Sequence, residues 1–249
     1  MESNTLIKAF ALMEATAGSS DGRTLRDLSA DVGASKPTAH RILNTLVSLG
    51  YMEKPLAGTY RQTPDARRLV SGTHQSALLE ASKPVLQQLF EKTGETVNLG
   101  VLRHDKVLYL HVLECTHPLR HVVSLETVDP FHSTALGRAI VAFLPDDQRK
   151  VLLKNPTFDK RTPRTVSSTS ELLRLLKAVH DQGFAVEEDE TDLGVTCIGA
   201  PVVVRDRAVA AISVAAPTAR VTDERRITFV EAVRLAAAKV SAAIDKAVA

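Results

Sequence analysis

Residues 24–62, TLRDLSADVGASKPTAHRILNTLVSLGYMEKPLAGTYRQ, decide the fold of the N-terminal part of this 249-residue chain. Apolar residues recur at helical spacing in two short segments, and a turn that contains Gly33 separates them. Two strand-like segments follow on either side of the sequence Pro-Leu-Ala-Gly. Two helices and a small hairpin in this order are typical of a winged helix-turn-helix, which places its second helix in the major groove of DNA.

The ends of these helices are marked by capping residues. Thr24 is a natural N-cap for the first helix, and Gly33 ends it. Ser35 is a natural N-cap for the second helix, predicted over 36–49, and Pro37 lies in its first turn, where a missing N–H costs little. A stripe of apolar residues predicts a further helix over 5–17.

The helix predicted over 36–49 separates an apolar face from a polar face. Arg41 and Asn44 lie opposite the apolar stripe, and these residue types make bidentate contacts to guanine and adenine. Polar residues at a helix start suit phosphate, and the hairpin is predicted to be a phosphate-contacting wing. The predicted DNA-binding residues are Ser35, Lys36, Thr38, His40, Arg41, Asn44, Thr45, Lys54 and Arg61. The alternative is an ordinary solvated helix face.

Composition sets the broad class of protein. The net charge is +2, and residues 1–72 hold 9 Lys and Arg against 7 Asp and Glu, so the small excess lies at the predicted DNA-binding end. No apolar run reaches the roughly 20 residues that span a bilayer. Two cysteines give no disulfide framework, and neither common Gly-rich phosphate loop is present. We therefore expect a cytoplasmic protein with no membrane contact and no cofactor.

The rest of the chain mixes strands and helices without regular alternation, which predicts an α+β domain. Strands are predicted at 96–103, 106–114, 119–126, 195–205 and 208–216, and helices at 134–144, 146–153, 169–182 and 223–246. A linker helix is predicted between the halves, and Ser82 is predicted to cap the next helix. The expected domains are 1–64 for DNA binding, 65–80 for the linker helix and 81–249 for the C-terminal domain.

Four motifs in order resemble the IclR family of bacterial transcriptional regulators. They are GASKPTAHRILNTLVSLGYMEKPLAGTYR, FHSTALGRAIVAFL, the segment from RTPRTVSSTSELL to GVTCIGAPV, and AAISVAAPTAR. The resemblance extends from residue 5 to residue 244. It implies a GAF-like effector domain, in which an antiparallel sheet flanked by helices holds one small ligand. It also implies homodimers, often paired into homotetramers.

The resemblance also implies where the effector binds. The family's contact positions correspond to Ala135, Leu136, Glu187, Val195, Cys197, Ser213 and Ala215. Ser133 and Thr134 precede a predicted helix whose N-terminus suits a carboxylate. Glu187 stands where a shorter acid occurs in relatives and Ala215 where a second serine can occur, which favours a less polar ligand. Pro37 departs from the more usual serine.

The sequence leaves two other kinds of site to consider, a catalytic thiol and a metal site. Cys197 could be a nucleophile with His132 as its base, although a buried cysteine in an apolar strand is more often inert. His111, Cys115, His117 and His121 are ligand types that suit zinc, but their spacing fits no standard finger. We expect no metal site.

The sequence therefore predicts a one-component regulator rather than an enzyme. Its partners are expected to be double-stranded operator DNA, a small organic acid and further copies of the chain. The alternatives are a cytosolic thiol enzyme that uses Cys197, and an architectural module whose pocket binds nothing.

Overall fold

The computed structural model describes residues 3–16, 19, 22–55, 58–63, 66, 73–125, 127–154 and 156–248. The chain divides into two compact units, Met1–Ala77 and Leu78–Ala249. Residues 65 and 67–72 of the predicted linker helix lie outside the described residues. Within the described ranges, no helix has the length and apolar character needed to cross a membrane.

The first unit is a three-helix domain with a small antiparallel sheet. Its elements are α1 (Asn4–Ala15), β1 (Arg23–Thr24), α2 (Leu25–Asp31), α3 (Lys36–Ser48), β2 (Met52–Glu53) and β3 (Thr59–Gln62). The strand order is β1-β3-β2, so the hairpin of β2 and β3 is extended by two residues that the sequence did not indicate. The predicted winged helix-turn-helix is confirmed.

The predicted caps hold both helices of the motif. The Thr24 hydroxyl accepts a hydrogen bond from the Asp27 N–H at 3.3 Å, and the Ser35 hydroxyl accepts one from the Thr38 N–H at 3.4 Å. Gly33 adopts a φ of 59°, which a residue with a Cβ rarely adopts. A small core packs the three helices together through buried side chains that include Leu12, Leu28, Ile42, Leu43 and Leu46.

The second unit is built around one six-stranded antiparallel sheet. Its first helix, α4 (Thr73–Thr93), begins in the last residues of the first unit. The elements that follow are β4 (Thr96–Arg103), β5 (Lys106–Leu113), β6 (Val128–Pro130), α5 (Ala135–Ala142), α6 (Asp146–Leu152), α7 (Thr169–Gln182), β7 (Ala185–Glu188), β8 (Val195–Val204), β9 (Arg207–Pro217), a 3-10 turn (Thr218–Arg220) and α8 (Asp223–Val248). The strand order is β6-β5-β4-β9-β8-β7. The predicted α+β class is confirmed.

Each face of the sheet carries its own apolar core. On one face, α4 and α8 cover the sheet through buried residues such as Leu86, Leu89, Ile212 and Val233. On the other face, α5 and α7 pack through Ile140, Leu172 and Leu176. A layer of helices on each face shields the sheet from water. The cavity that forms the candidate ligand site lies between the sheet and α5.

The strand predicted over 119–126 is wrong over its described part, because residues 119–125 form an irregular loop. The carbonyl oxygens of Leu119 and His121 accept hydrogen bonds from the side chains of Arg220 (2.8 Å) and Thr96 (3.1 Å) instead of from another strand. The edge of β5 is taken by β6, which pairs Val107 with Asp129.

Ser82 does not start a new helix. It is buried in the interior of α4, which runs without a break through Pro84. Helix propensity over the preceding residues therefore outweighs the capping preference of serine. The edge strand β7 was also not predicted, because its sequence Ala-Val-Glu-Glu continues into a run of acids that is typical of a solvated loop.

Candidate nucleic-acid interface and ligand pocket

Helix α3 presents one polar face to solvent. Ala39, Ile42 and Leu43 are buried on its inner side, while Lys36 and Arg41 are exposed. Among the described residues, neither of these two cations has a side-chain hydrogen bond or ion pair. Both are therefore available to an anionic partner, and Arg41 lies in the middle of the exposed face.

Asn44 connects the helix to the wing. Its side-chain oxygen accepts a hydrogen bond from Lys54 Nζ at 2.9 Å, and its amide nitrogen lies 3.2 Å from Nε2 of His40. Lys54 also lies over the ring of Tyr60, with Nζ 5.1 Å from the ring centroid. The structure thus brings three predicted DNA-binding side chains, His40, Asn44 and Lys54, into one exposed chain of polar contacts.

The remaining predicted DNA-binding residues differ in the contacts that their side chains make within the protein. Arg61 in β3 is held by Glu53 across the hairpin, with Nη2 2.8 Å from a carboxylate oxygen. Thr45 donates its hydroxyl to the Arg41 carbonyl at 3.0 Å. Ser35 and Thr38 share a hydroxyl contact at 2.9 Å at the start of α3. All three contacts are partly exposed and can be exchanged for contacts with phosphate.

A small cavity of about 10 Å³ lies between the sheet and the start of α5, which is space for about one water molecule. Its lining residues come from five strands, the start of a helix and two loops. They are Asn98, Tyr109, His121, Thr134, Ala135, Leu136, Glu187, Thr191, Val195, Cys197 and Ser213.

Six of the seven effector positions that the family resemblance implied line this cavity. The seventh, Ala215, is buried on β9 opposite Cys197 and is not among the lining residues. Sequence reasoning missed Asn98, Tyr109, His121 and Thr191. A signal was present for Asn98, because it is a polar residue in the middle of an otherwise apolar strand. No pattern in the sequence near His121 indicated that it lines the cavity, because the tertiary fold brings its loop there.

The start of α5 forms one wall of the cavity. The Thr134 hydroxyl accepts a hydrogen bond from the Gly137 N–H at 3.0 Å, and the Thr134 carbonyl accepts one from Arg138 N–H at 3.1 Å. The N–H groups of Ala135 and Leu136 precede the first backbone hydrogen bond of the helix and have no acceptor within it. They form a ready place for an anion.

Two glycines allow this helix start to lie close to the sheet and the preceding turn. A Cβ added to Gly137 would lie 2.4 Å from backbone atoms of Phe131, and one added to Gly199 would lie 3.0 Å from the backbone of Ala135. Any larger residue at Gly137 would therefore have to move the start of α5 away from the backbone of Phe131.

Glu187 is the only lining residue that brings a carboxyl group to the described cavity. It is 1% exposed on β7, and one of its oxygens accepts hydrogen bonds from the N–H groups of Glu190 (2.7 Å) and Thr191 (2.9 Å). Burial raises the pKa of Glu187 to about 7, although these two N–H donors act in the opposite direction. The group therefore changes charge near neutrality.

Two polar networks hold the other walls. The Tyr109 hydroxyl donates to Asp129 at 2.9 Å, and Asp129 is ion-paired with Arg161. Burial, reinforced by Asp129, raises the pKa of Tyr109. His121 Nε2 lies 3.3 Å from a carboxylate oxygen of Asp192. These contacts fix both side chains at the cavity wall.

Cys197 lies on the cavity wall, whereas His132 does not. His132 packs edge-on against Phe131 and Phe158, with ring centroids 6.1 and 5.2 Å apart. Burial, followed by the neighbouring Glu187 carboxylate, raises the pKa of the Cys197 thiol. In the described part of the chain, no group of three or more His, Cys, Asp or Glu side chains is arranged to hold a metal ion.

A winged helix followed by a separate α+β unit with a small polar-lined cavity under a helix start is typical of one-component DNA-binding regulators. Residues 5–55 match the family described as the IclR helix-turn-helix domain, and residues 70–242 match the family described as bacterial transcriptional regulator IclR C-terminal. The chain belongs to the IclR family of transcriptional regulators, with a DNA-binding domain and an effector-binding C-terminal domain.

Individual relatives agree with this assignment. The chain is 31% identical over 242 residues to the HTH-type transcriptional regulator KdgR of Escherichia coli, covering 96% of this chain and 92% of that protein. It is 32% identical over 225 residues to the regulator BhcR of Paracoccus denitrificans, covering 89% and 81%.

Solved structures share the fold. An IclR transcriptional regulator from Silicibacter matches with a TM-score of 0.78 at 28% identity, covering 97% of this chain and 96% of that chain. An IclR homologue from Microbacterium hydrocarbonoxydans, complexed with 4-hydroxybenzoate, matches with a TM-score of 0.65 at 22% identity, covering 98% and 100%.

Proposed function

We propose that this regulator binds operator DNA through α3 and the wing, and that a small organic acid in the cavity beneath α5 controls that binding. The observation that carries the proposal is the cavity itself. It joins six of the seven implied effector positions to a helix start whose N–H groups of Ala135 and Leu136 have no acceptor within the helix. Such a start binds carboxylates in other proteins.

On the DNA side, Arg41 is proposed to contact base edges, because it is exposed at the centre of the polar face. Lys36, Ser35 and Thr38 are proposed to bind phosphate at the start of α3. Thr45, His40, Asn44, Lys54 and Arg61 complete the proposed interface. Lys54 is proposed to be positioned by Asn44, which holds it at 2.9 Å.

On the ligand side, Ser213 is proposed to donate a hydrogen bond to the acid. Its oxygen accepts a hydrogen bond from the Asn98 amide at 3.3 Å, so its own proton remains free for another acceptor. The relative complexed with 4-hydroxybenzoate supports a small carboxylate as the class of ligand. Cys197, Val195 and Leu136 supply the apolar part of the wall, and Ala215 lies beside Cys197 on the neighbouring strand β9.

We also propose a cytoplasmic homodimer or homotetramer that carries no cofactor. One recognition helix contacts too few base pairs for specificity, so two copies of the chain are needed on a two-fold operator. A cytoplasmic location follows from the DNA partner.

The Ser213→Ala variant tests the ligand site. We expect it to weaken the effect of the acid on operator binding by about tenfold, because one hydrogen bond to a charged group is lost. The measurement is a titration of the acid against a fluorescent operator complex. Ser170→Ala, on the exposed surface of α7, is the control and should match the wild type. An unchanged acid response in Ser213→Ala would contradict the proposed contact.

We propose that Cys197 performs no covalent catalysis. Its thiol has a raised pKa, so little thiolate is present near neutrality, and we expect alkylation to be much slower in the folded protein than in urea. Cys197→Ser should retain operator binding. Labelling of the native thiol as fast as in urea, with ester or amide hydrolysis that Cys197→Ser abolishes, would favour the thiol enzyme instead.

A further inference from the structure

Three side chains in the wall of the cavity each have a buried polar atom with no hydrogen-bond partner among the described residues. The atoms are Asn98 Oδ1, His121 Nδ1 and Glu187 Oε2. Asn98 is 2% exposed and Glu187 is 1% exposed. A buried polar group without a partner costs about 1–3 kcal/mol. Three such groups around one space indicate that the site is built to bind a polar molecule.

Two of these atoms are acceptors. Asn98 uses its amide nitrogen to donate to Ser213, so the free atom is its carbonyl oxygen. His121 points Nε2 at the Asp192 carboxylate, and in the tautomer that places the ring proton on Nε2, Nδ1 is an acceptor. A bare carboxylate cannot satisfy either atom, because it has no hydrogen to donate. Hydroxyl groups can.

The third atom belongs to a carboxyl group without a cationic partner. Among the described residues, Glu187 forms no ion pair, and its hydrogen bonds come from two backbone N–H groups and from the Cys197 thiol, which is a weak donor. The titratable groups around it are Tyr109, Cys197, His121 and three acids. Of these acids, Glu190 is ion-paired with Arg138, and Asp129 and Asp192 are ion-paired with Arg161. Glu187 and the proposed carboxylate site at Ala135 and Leu136 border the same small cavity.

Two carboxylates that share a closed site cannot both remain ionised at low cost. We propose that the effector is a hydroxylated acid, that its hydroxyl groups donate to Asn98 and His121, and that Glu187 takes up one proton from solvent when the anion binds. The protonated oxygen then donates a hydrogen bond to the ligand. This inference rests on the proposed function, since it assumes that the cavity is the effector site.

The free protein is poised for this proton uptake. Because the pKa of Glu187 is raised to about 7, the group is ionised at pH 8 and largely protonated at pH 6. Above pH 7 each bound anion must therefore bring a proton with it. We expect affinity for the acid to fall about tenfold per pH unit above 7 and to stay level between about pH 5 and 7. The polar atoms of Asn98, His121 and Glu187 favour a hydroxylated ligand even though Ala215 provides no hydroxyl group.

The test is calorimetric titration of the full-length protein with glycerate, lactate and propionate, which carry two, one and no hydroxyl groups on the same three carbons. Titrations at about pH 8.5 in two buffers of different protonation enthalpy measure proton uptake. We expect affinity to fall from glycerate to propionate by at least about tenfold in total, with uptake close to one proton.

Two variants assign the proton. Glu187→Gln imitates the protonated acid, so it should bind glycerate without proton uptake and without the decline above pH 7. Glu188→Gln makes the same charge change on the neighbouring residue of β7, which pairs with Arg226 instead of lining the cavity. It should keep the wild-type uptake and pH dependence.

The outcomes separate the two proposals. Binding of glycerate without proton uptake, or with an affinity no higher than that of propionate, would overturn this inference and leave small-acid sensing intact. Uptake that survives in Glu187→Gln would also overturn it. If none of the three acids binds, both this inference and the acid effector of the proposed function are overturned.

Discussion

Replacing Arg41 with alanine is expected to lower operator affinity by about 1–3 kcal/mol, which is roughly fivefold to more than a hundredfold. The guanidinium is exposed on α3 and has no partner among the described residues. A bidentate contact to guanine therefore breaks no contact within the protein. Because base contacts carry sequence information, the loss should be much smaller on scrambled DNA. Mobility shifts on both DNAs measure the difference.

Lys54→Ala provides the contrast for this experiment. Lys54 is bonded to Asn44 and lies over Tyr60, which places it at the wing where phosphate contacts are expected. Its loss should weaken all DNA sequences alike and reduce the slope of log affinity against log salt by about one. If Arg41→Ala bound the operator as tightly as the wild type, the assignment of the exposed face would be wrong.

Replacing Arg138 with methionine is expected to lower the free energy of unfolding by about 3–5 kcal/mol, because one partner of a buried ion pair is removed. Arg138 is 1% exposed, holds both oxygens of Glu190 and donates from Nε to the His132 carbonyl at 2.8 Å. Without it, the Glu190 side chain, which is only 12% exposed, keeps the Val166 N–H as its one hydrogen-bond partner among the described residues. Urea denaturation followed by circular dichroism measures the loss.

Arg149→Met is the matched control for Arg138. Arg149 pairs with Asp146 on α6, and the Asp146 side chain is 74% exposed. Surface pairs of this kind contribute about 0–1 kcal/mol, so the control should lose little stability. The double variant Arg138→Met with Glu190→Leu should recover part of the loss, since no unpaired charge remains. Equal losses from Arg138→Met and Arg149→Met would contradict the importance of the buried pair.

The DNA-binding unit could be predicted from the sequence because its signals are local. The caps Thr24 and Ser35, the turn at Gly33 and the apolar stripe of α3 all act within a few residues of one another, and the structure confirms each of them. The contact of Asn44 with Lys54 was not predictable in this way, because it depends on how the wing returns to the helix.

The pocket could be predicted only in part, because its walls come from distant parts of the chain. The resemblance to relatives located Ala135 and Ser213, but it gave no indication of His121, which sits in a loop mistaken for a strand. The valine-rich sequence there favours a strand, yet two of its carbonyl oxygens accept hydrogen bonds from the side chains of Thr96 and Arg220. Glu187 was located by the resemblance, but its position in a run of acids predicted exposure to solvent, whereas the structure buries it.

A small acid bound by the second unit is proposed to control DNA binding by the first. Fluorescence anisotropy with an operator selected from random DNA, titrated with and without glycerate, tests it most directly. We expect the acid to change the operator Kd by about 5- to 150-fold, and we expect Ser213→Ala to reduce this change. An operator Kd that no acid of the three-carbon series alters would contradict the claim.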